Sequence, residues 1–118
     1  MVITPSLDVV IVNWNSGEML SQCVKSIQKA WHGSFVFGKV YIVDNGSTDE
    51  SLAFAKSFIE FPFKLEILQN HENRGFGAAC NQGAAQATSD YMLFLNPDTR
   101  LFESSLSAPV VYMSRSEN

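Results

Sequence analysis

Four short apolar runs punctuate the chain, and polar residues follow each of them. Val9-Val10-Ile11-Val12 ends at Asn13-Trp14-Asn15, and Val40-Tyr41-Ile42-Val43 ends at Asp44-Asn45-Gly46. Leu65-Glu66-Ile67-Leu68 leads into Gln69-Asn70, and Tyr91-Met92-Leu93-Phe94-Leu95 into Asn96-Pro97-Asp98. Runs this short, rich in β-branched and aromatic residues, predict strands near residues 8–13, 40–44, 65–69 and 91–95. Three of them lack alternation, the mark of parallel strands covered on both faces. The third alternates, which suits a strand near a sheet edge.

The intervening segments carry helical spacing. Asn15 to Glu18 has the form of a capping box, and Met19, Leu20, Cys23, Val24, Ile27 and Trp31 then share one face, predicting a helix near 17–31. A second box, Ser47-Thr48-Asp49-Glu50, precedes Leu52, Ala55, Phe58 and Ile59, and Pro62 closes that helix, placed near 49–60. A third helix near 76–87 is built of small residues, Gly77, Ala78, Ala79, Gly83, Ala84 and Ala85, able to lie very close to a sheet or a ligand. Beyond Arg100 the pattern fades, and 104–118 is too polar and too short to assign. Strand–helix alternation of this kind implies right-handed crossovers and a mostly parallel, doubly wound α/β sheet with helices on both faces. In such sheets ligands collect outside the carboxyl ends of the strands, where strand order reverses. Those ends are where this chain puts its amides, carboxylates and an arginine.

Composition narrows the reading without redirecting it. At 118 residues, 46% hydrophobic and 17% charged, the chain is expected to be one soluble globular domain. A formal charge of −4 argues against a nucleic-acid partner, which needs a basic face, but leaves room for a nucleotide helped by a metal. Cys23 and Cys80 lie too far apart for a zinc motif or a disulfide framework, and a reducing cytoplasm is the expected setting. No apolar run reaches the length of a membrane span, and the first residues do not resemble a signal peptide.

Each polar strand end has a chemical reading and a plainer one. Asp44 can accept hydrogen bonds from a base or a ribose; it can equally serve the helix that follows, the role expected of Asp49. Asn96-Pro97-Asp98 offers a carboxylate to Mg²⁺ or Mn²⁺, hard cations that share one or two carboxylates with substrate phosphates, or is an Asx turn. Arg74 is the best-placed cation for a phosphate, or a solvated loop residue. Gly75 and Gly77 permit close backbone approach, or simply start a helix. Trp14 can stack on a base or fill the core. His32 and His71 have no partner at ligand spacing and read as surface residues. The first strand ends in Asn-Trp-Asn-Ser-Gly, so the usual dinucleotide fingerprint is missing, and neither a Walker A loop nor a nucleophile elbow occurs.

Together, the stretches Val9 to Asn15, Val43 to Asp49, Asn73-Arg74-Gly75-Phe76-Gly77 with Asn81 and Gly83, and Phe94 to Thr99 resemble the inverting glycosyltransferases of family 2, with the GT-A fold. Trp-Asn at the first strand and Asn-Pro-Asp at the fourth resemble the rhamnosyltransferase-like subgroup. The resemblance covers roughly residues 7 to 102.

It implies a donor site for a nucleoside-diphosphate sugar, UDP- or dTDP-linked. Trp14 would stack on the base beside Asn13 and Asn15. Asp44 would contact the base or ribose and Arg74 the base or diphosphate, Asn45 and Gly75 would join the nucleotide-sugar site, and Asn96 and Asp98 would take the position of the family's D-x-D motif, with the metal on Asp98. The family inverts the anomeric centre in one displacement onto a glycan or lipid-linked acceptor, using an acidic general base far downstream. No residue here matches that base, which is expected beyond Asn118. Residues 1–118 are therefore expected to be a nucleotide-binding portion without its acceptor half, inactive alone, cytoplasmic, and beside the membrane in a longer protein. The competing expectation is a non-catalytic nucleotide-binding module on the same scaffold; a receiver-like domain is a distant third, lacking an acidic pair after the first strand.

Overall fold

The computed structural model describes residues 4–31, 33–57 and 62–116. His32, Phe58, Ile59 and Asn118, which figure in the expectations above, lie outside the described residues. The described elements run β1 (Ser6–Asn13), α1 (Glu18–Lys29), β2 (Val36–Asp44), α2 (Ser51–Lys56), β3 (Lys64–Gln69), α3 (Phe76–Ala84), β4 (Tyr91–Leu95) and α4 (Ser107–Ser116). The strands form one sheet in the order β3-β2-β1-β4, every neighbouring pair parallel. The expected strands are all present, and the alternating third is indeed an edge strand. This is the expected α/β sheet.

Right-handed crossovers explain where the helices lie. The chain steps from β1 to β2 to β3 in one direction, then returns past both to place β4 on the far side of β1. Reversing direction with the same handedness sends the crossover helix to the opposite face. One core accordingly joins Leu7, Val9 and Ile11 of β1 with Leu20, Val24 and Ile27 of α1, Ala55 of α2, Leu106 just before α4 and Val110 within it. The other face holds Val10, Tyr41 and Val43 against Ala79 of α3. The small-residue helix does approach closely: a Cβ on Gly83 would stand 2.5 Å from Cγ1 of Val10.

Four expectations need correction. Helix α1 begins without a capping box; its N-cap is Gly17, and the Asn15 side chain bonds elsewhere. Helix α2 likewise starts only at Ser51, because Ser47 turns toward Asp44 instead of capping. Met19 and Trp31 leave the buried face of α1, each 44% exposed. The fourth apolar run is covered on one face only: Tyr91 and Leu93 pack inward, whereas Met92 and Phe94 are exposed, since β4 is an edge strand and α3 lies over β1 and β2. A fourth helix, unforeseen, follows Leu106.

Candidate donor-nucleotide site at the carboxyl edge

Because all four strands are parallel, the segments after them line up along one edge of the sheet in strand order. From one side to the other come Asn70–Arg74, Asp44–Asp49, Asn13–Asn15 and Asn96–Asp98. Strand order reverses between β1 and β4, so the switch point lies between Trp14 and the Asn96-Pro97-Asp98 turn. Asp44 and Asp98 share this edge, Asp44 at the end of β2 and Asp98 three residues past β4.

Beneath the edge runs a layer of buried polar side chains. Asn13, Asp44, Asn45, Ser51 and Asn70 are all essentially excluded from solvent. The Asn13 amide donates to Asp44 Oδ1 at 2.9 Å and meets the hydroxyls of Ser47 and Ser51 at 3.2 and 2.9 Å. Asp44 also accepts from the Ser47 hydroxyl at 2.7 Å and from its N–H at 3.0 Å. Both oxygens of Asp44 are therefore engaged by the chain itself, on a residue with no exposed surface. Asn45 is equally committed, accepting from Asn70 and the Arg74 N–H and donating to the Gly75 carbonyl. Asn70 in turn exchanges hydrogen bonds with Gln82 at 2.9 Å.

Above this layer the first two connections are laced together. Asn15, at φ 49°, takes the left-handed conformation that asparagine tolerates better than most residues. Its side-chain Oδ1 accepts from the N–H groups of Thr48 and Asp49, and its backbone N–H donates to the Ser47 hydroxyl at 2.9 Å. Asp49 accepts from Ser51 and from the Gly17 N–H, so it serves helix starts as expected. The Ser51 hydroxyl bond, the largest cause, holds the Asp49 carboxyl below its ordinary range.

The groups left facing outward are Trp14, Arg74, Gly75, Asn96 and Asp98. Trp14 is 55% exposed and does not fill the core. Gly75 is the N-cap of α3 with φ 86°, a conformation that suits glycine. Asn96 to Thr99 forms a tight turn, closed by the Thr99 N–H on the Asn96 carbonyl at 3.0 Å. Burial pushes the Cys23 thiol below that turn up to about 11, with Arg100 opposing and Asp98 adding to the rise, so it stays protonated. Cys23 and Cys80 are both free thiols. Among the described residues no three His, Cys, Asp or Glu side chains gather to hold a metal unaided. The exposed carboxylate of Asp98 suits a hard cation that takes its remaining oxygen ligands from a diphosphate and water.

The parts that the sequence pattern brought to one edge are thus together there, sorted into two layers. Asn13, Asp44 and Asn45 lie inward; Trp14, Asn15, Arg74, Gly75, Asn96 and Asp98 lie outward. The expected general base has no counterpart to place, since it was assigned to no residue up to Asn118. Sequence reasoning missed Ser51 and Gln82 in the buried layer, since a serine and a glutamine at ordinary helical positions carry no signal. Ser47 was visible but read as a helix cap.

This is a parallel α/β domain whose polar strand ends line one edge of the sheet. The chain superposes on S. aureus TarS crystallised with UDP-GlcNAc at a TM-score of 0.82 and 22% identity, over 93% of this chain and 31% of that one. The mannosyltransferase PcManGT from Pyrobaculum calidifontis, in complex with GDP-Man and Mn²⁺, aligns at 0.82 and 19% identity, covering 95% of this chain and 33% of that one. At such identities the likeness establishes the fold. In sequence, the chain is 32% identical over 106 residues to a PGL/p-HBAD biosynthesis glycosyltransferase of Mycobacterium tuberculosis, and 31% identical over 94 residues to Glycosyltransferase AglE of Haloferax volcanii. These matches take in 90% and 80% of this chain. Residues 8–117 match Glycosyl transferase family 2, and the chain belongs to that family. It spans 40% of the length of the mycobacterial relative and 31% of the archaeal one.

Proposed function

We propose that this chain is the donor-binding portion of an inverting family 2 glycosyltransferase that takes a UDP- or dTDP-linked sugar with Mg²⁺ or Mn²⁺. The observation that carries the reading is the switch point itself. There, the exposed Trp14 and the exposed Asp98 follow β1 and β4, the neighbouring strands between which the order reverses. Trp14 offers a face to the base, Arg74 a positive charge to the nucleotide, and Asn96 and Asp98 oxygen atoms on the diphosphate side.

Bound there, the cation would neutralise charge on the departing nucleoside diphosphate. The chain's own residues do the rest of the donor-side work. Asn15 and Ser47 fix the loop carrying Trp14, and the Asn96–Thr99 turn holds Asp98 outward. We assign Asp44 a positioning role: through Asn13 and Ser47 it fixes the loops that face the nucleoside, in place of the direct contact its motif suggests. Its lack of exposed surface supports that assignment. The acceptor is a glycan or lipid-linked sugar in this reading. Its binding half, and the general base that activates it, belong to the stretch of the relatives that this chain does not span. A hexosyl or rhamnosyl donor and a cytoplasmic site, beside the membrane for a lipid-linked acceptor, complete it.

Calorimetry with UDP and dTDP, in Mn²⁺ and in EDTA, tests the proposal. Wild type should bind at least about tenfold more tightly with metal, equivalent to roughly 1.4 kcal/mol, and Asp98→Ala should lose that gain while matching wild type in EDTA. Equal wild-type affinity in the two buffers would reduce Asp98 to a turn residue. Absence of binding to either nucleotide would sink the donor-site reading altogether.

A further inference from the structure

Helix α1 does more than cover the sheet. After Leu95 the chain leaves the β1–β4 ladder, and apart from its own Asn96–Thr99 turn the segment carrying Asp98 is tied to α1 at three points. The Cys23 thiol donates to the Asn96 carbonyl at 3.7 Å. The Leu101 N–H donates to the Ser26 hydroxyl at 3.1 Å, and that hydroxyl is itself oriented by donating to the Cys23 carbonyl at 2.7 Å. Arg100 donates to the Gln22 side-chain carbonyl. Gln22, Cys23 and Ser26 share one side of the helix, four residues apart at most. Cys23 and Ser26 are buried, so no water competes for these bonds. The anchors stand on both sides of Asp98, at Asn96 and at Arg100 and Leu101, and Asp98 itself stays free to face outward. The same helix begins just after the loop that carries Trp14.

We propose that α1 acts as a ruler, with Gln22, Cys23 and Ser26 as positioning residues that set Asp98 at a fixed distance from the Trp14 surface. The inference rests on the donor-site reading above, and deepens it by naming what aims the metal-side carboxylate. Removing an anchor should leave the nucleoside end of the site intact and blur only the metal-dependent contact.

The test measures UDP affinity by calorimetry in Mn²⁺ and in EDTA for wild type, Ser26→Ala, Ser26→Thr and Gln22→Ala. Ser26→Ala should reduce affinity roughly three- to tenfold in Mn²⁺, the equivalent of one hydrogen bond, and leave the EDTA value unchanged. Ser26→Thr, which keeps the hydroxyl, should restore the gain. Gln22 is exposed, so Gln22→Ala keeps the test valid if Ser26→Ala folds poorly; it should shift Mn²⁺ affinity in the same direction. Variants that retain the full metal gain, or lose affinity equally in both buffers, would overturn the ruler while leaving the donor site standing. A wild type with no metal gain would instead overturn the metal reading, and the ruler with it.

Discussion

The two edges of the sheet make opposite uses of a buried aspartate. At the amino edge, Asp8 sits where the β1–β2 register slips. It accepts hydrogen bonds from the N–H groups of Lys39, Thr88 and Ser89 and from the Ser89 hydroxyl, at 2.7, 2.9, 3.1 and 2.8 Å. A cleft of about 610 Å³ opens beside it, lined in part by Asp8, Lys39 and Glu66. Asp8 is closed off by backbone, and Lys39 pairs with Glu66 at 3.1 Å. At the carboxyl edge Asp44 is just as buried and as fully bonded, but an outer rank of Trp14, Arg74, Asn96 and Asp98 stands above its layer. Concavity alone therefore does not mark a site here. What marks it is an inner layer bonded within itself, the buried Asn13 Oδ1 excepted, beneath groups that face outward.

Removing the inner carboxylate at the carboxyl edge should have the largest effect. Asp44→Ala deprives the Asn13 amide and the Ser47 N–H and hydroxyl of a buried acceptor, at a cost of about 3 kcal/mol of stability. Urea denaturation measures that loss, and nucleotide affinity should fall in Mn²⁺ and EDTA alike. A loss of affinity at unchanged stability would instead make Asp44 a direct ligand contact and erase the contrast between the layers.

An outer-rank substitution should do the reverse. Trp14→Ala removes a half-exposed ring, so the melting temperature should hardly move. Nucleotide affinity should drop by about 1–3 kcal/mol, the range for a lost base–aromatic stack. A large stability loss with little change in binding would return Trp14 to the core.

The smallest effect belongs to the amino edge. Burial raises the Asp8 pKa, but hydrogen bonds from Lys39, Ser89 and Thr88 outweigh it, leaving the carboxyl below its ordinary value of 3.8. Depressed in the folded state, it contributes stability that is present above the unfolded value and lost as pH falls through the folded one. Urea midpoints measured from about pH 6 down to about pH 2 should decline on the acid side, and Asp8→Asn should flatten part of that decline. Nucleotide binding at neutral pH should be indifferent to the change; if it is not, the two edges are coupled.

Much of this was legible in the chain. Four apolar runs gave four parallel strands; β1 and β2 are apolar along their length because helices cover both faces, and the alternation in Leu65-Glu66-Ile67-Leu68 marked an edge, whereas the unbroken fourth run hid one. The polar strand ends fell on one side of the sheet for the same reason that the strands are parallel. Helix starts were less legible: Asn15 and Ser47 have the residue types of caps, but both found stronger partners across the loop than in their own helices.

What the sequence determined by itself, then, is the local pattern: strands, most helices, and the family motifs that place an amide, a carboxylate or an arginine after each strand. Tertiary structure alone decided the strand order, and through it which two ends face each other across the switch point. It decided that Asp44 turns inward while Asp98 turns outward, although each is an aspartate at or just beyond the end of an apolar strand. The reason is physical: a carboxylate's role is set by how many donors the fold brings to it. For Asp44 the Ser47 donors lie only three residues on, but the Asn13 amide comes from another strand, a meeting that no local pattern records.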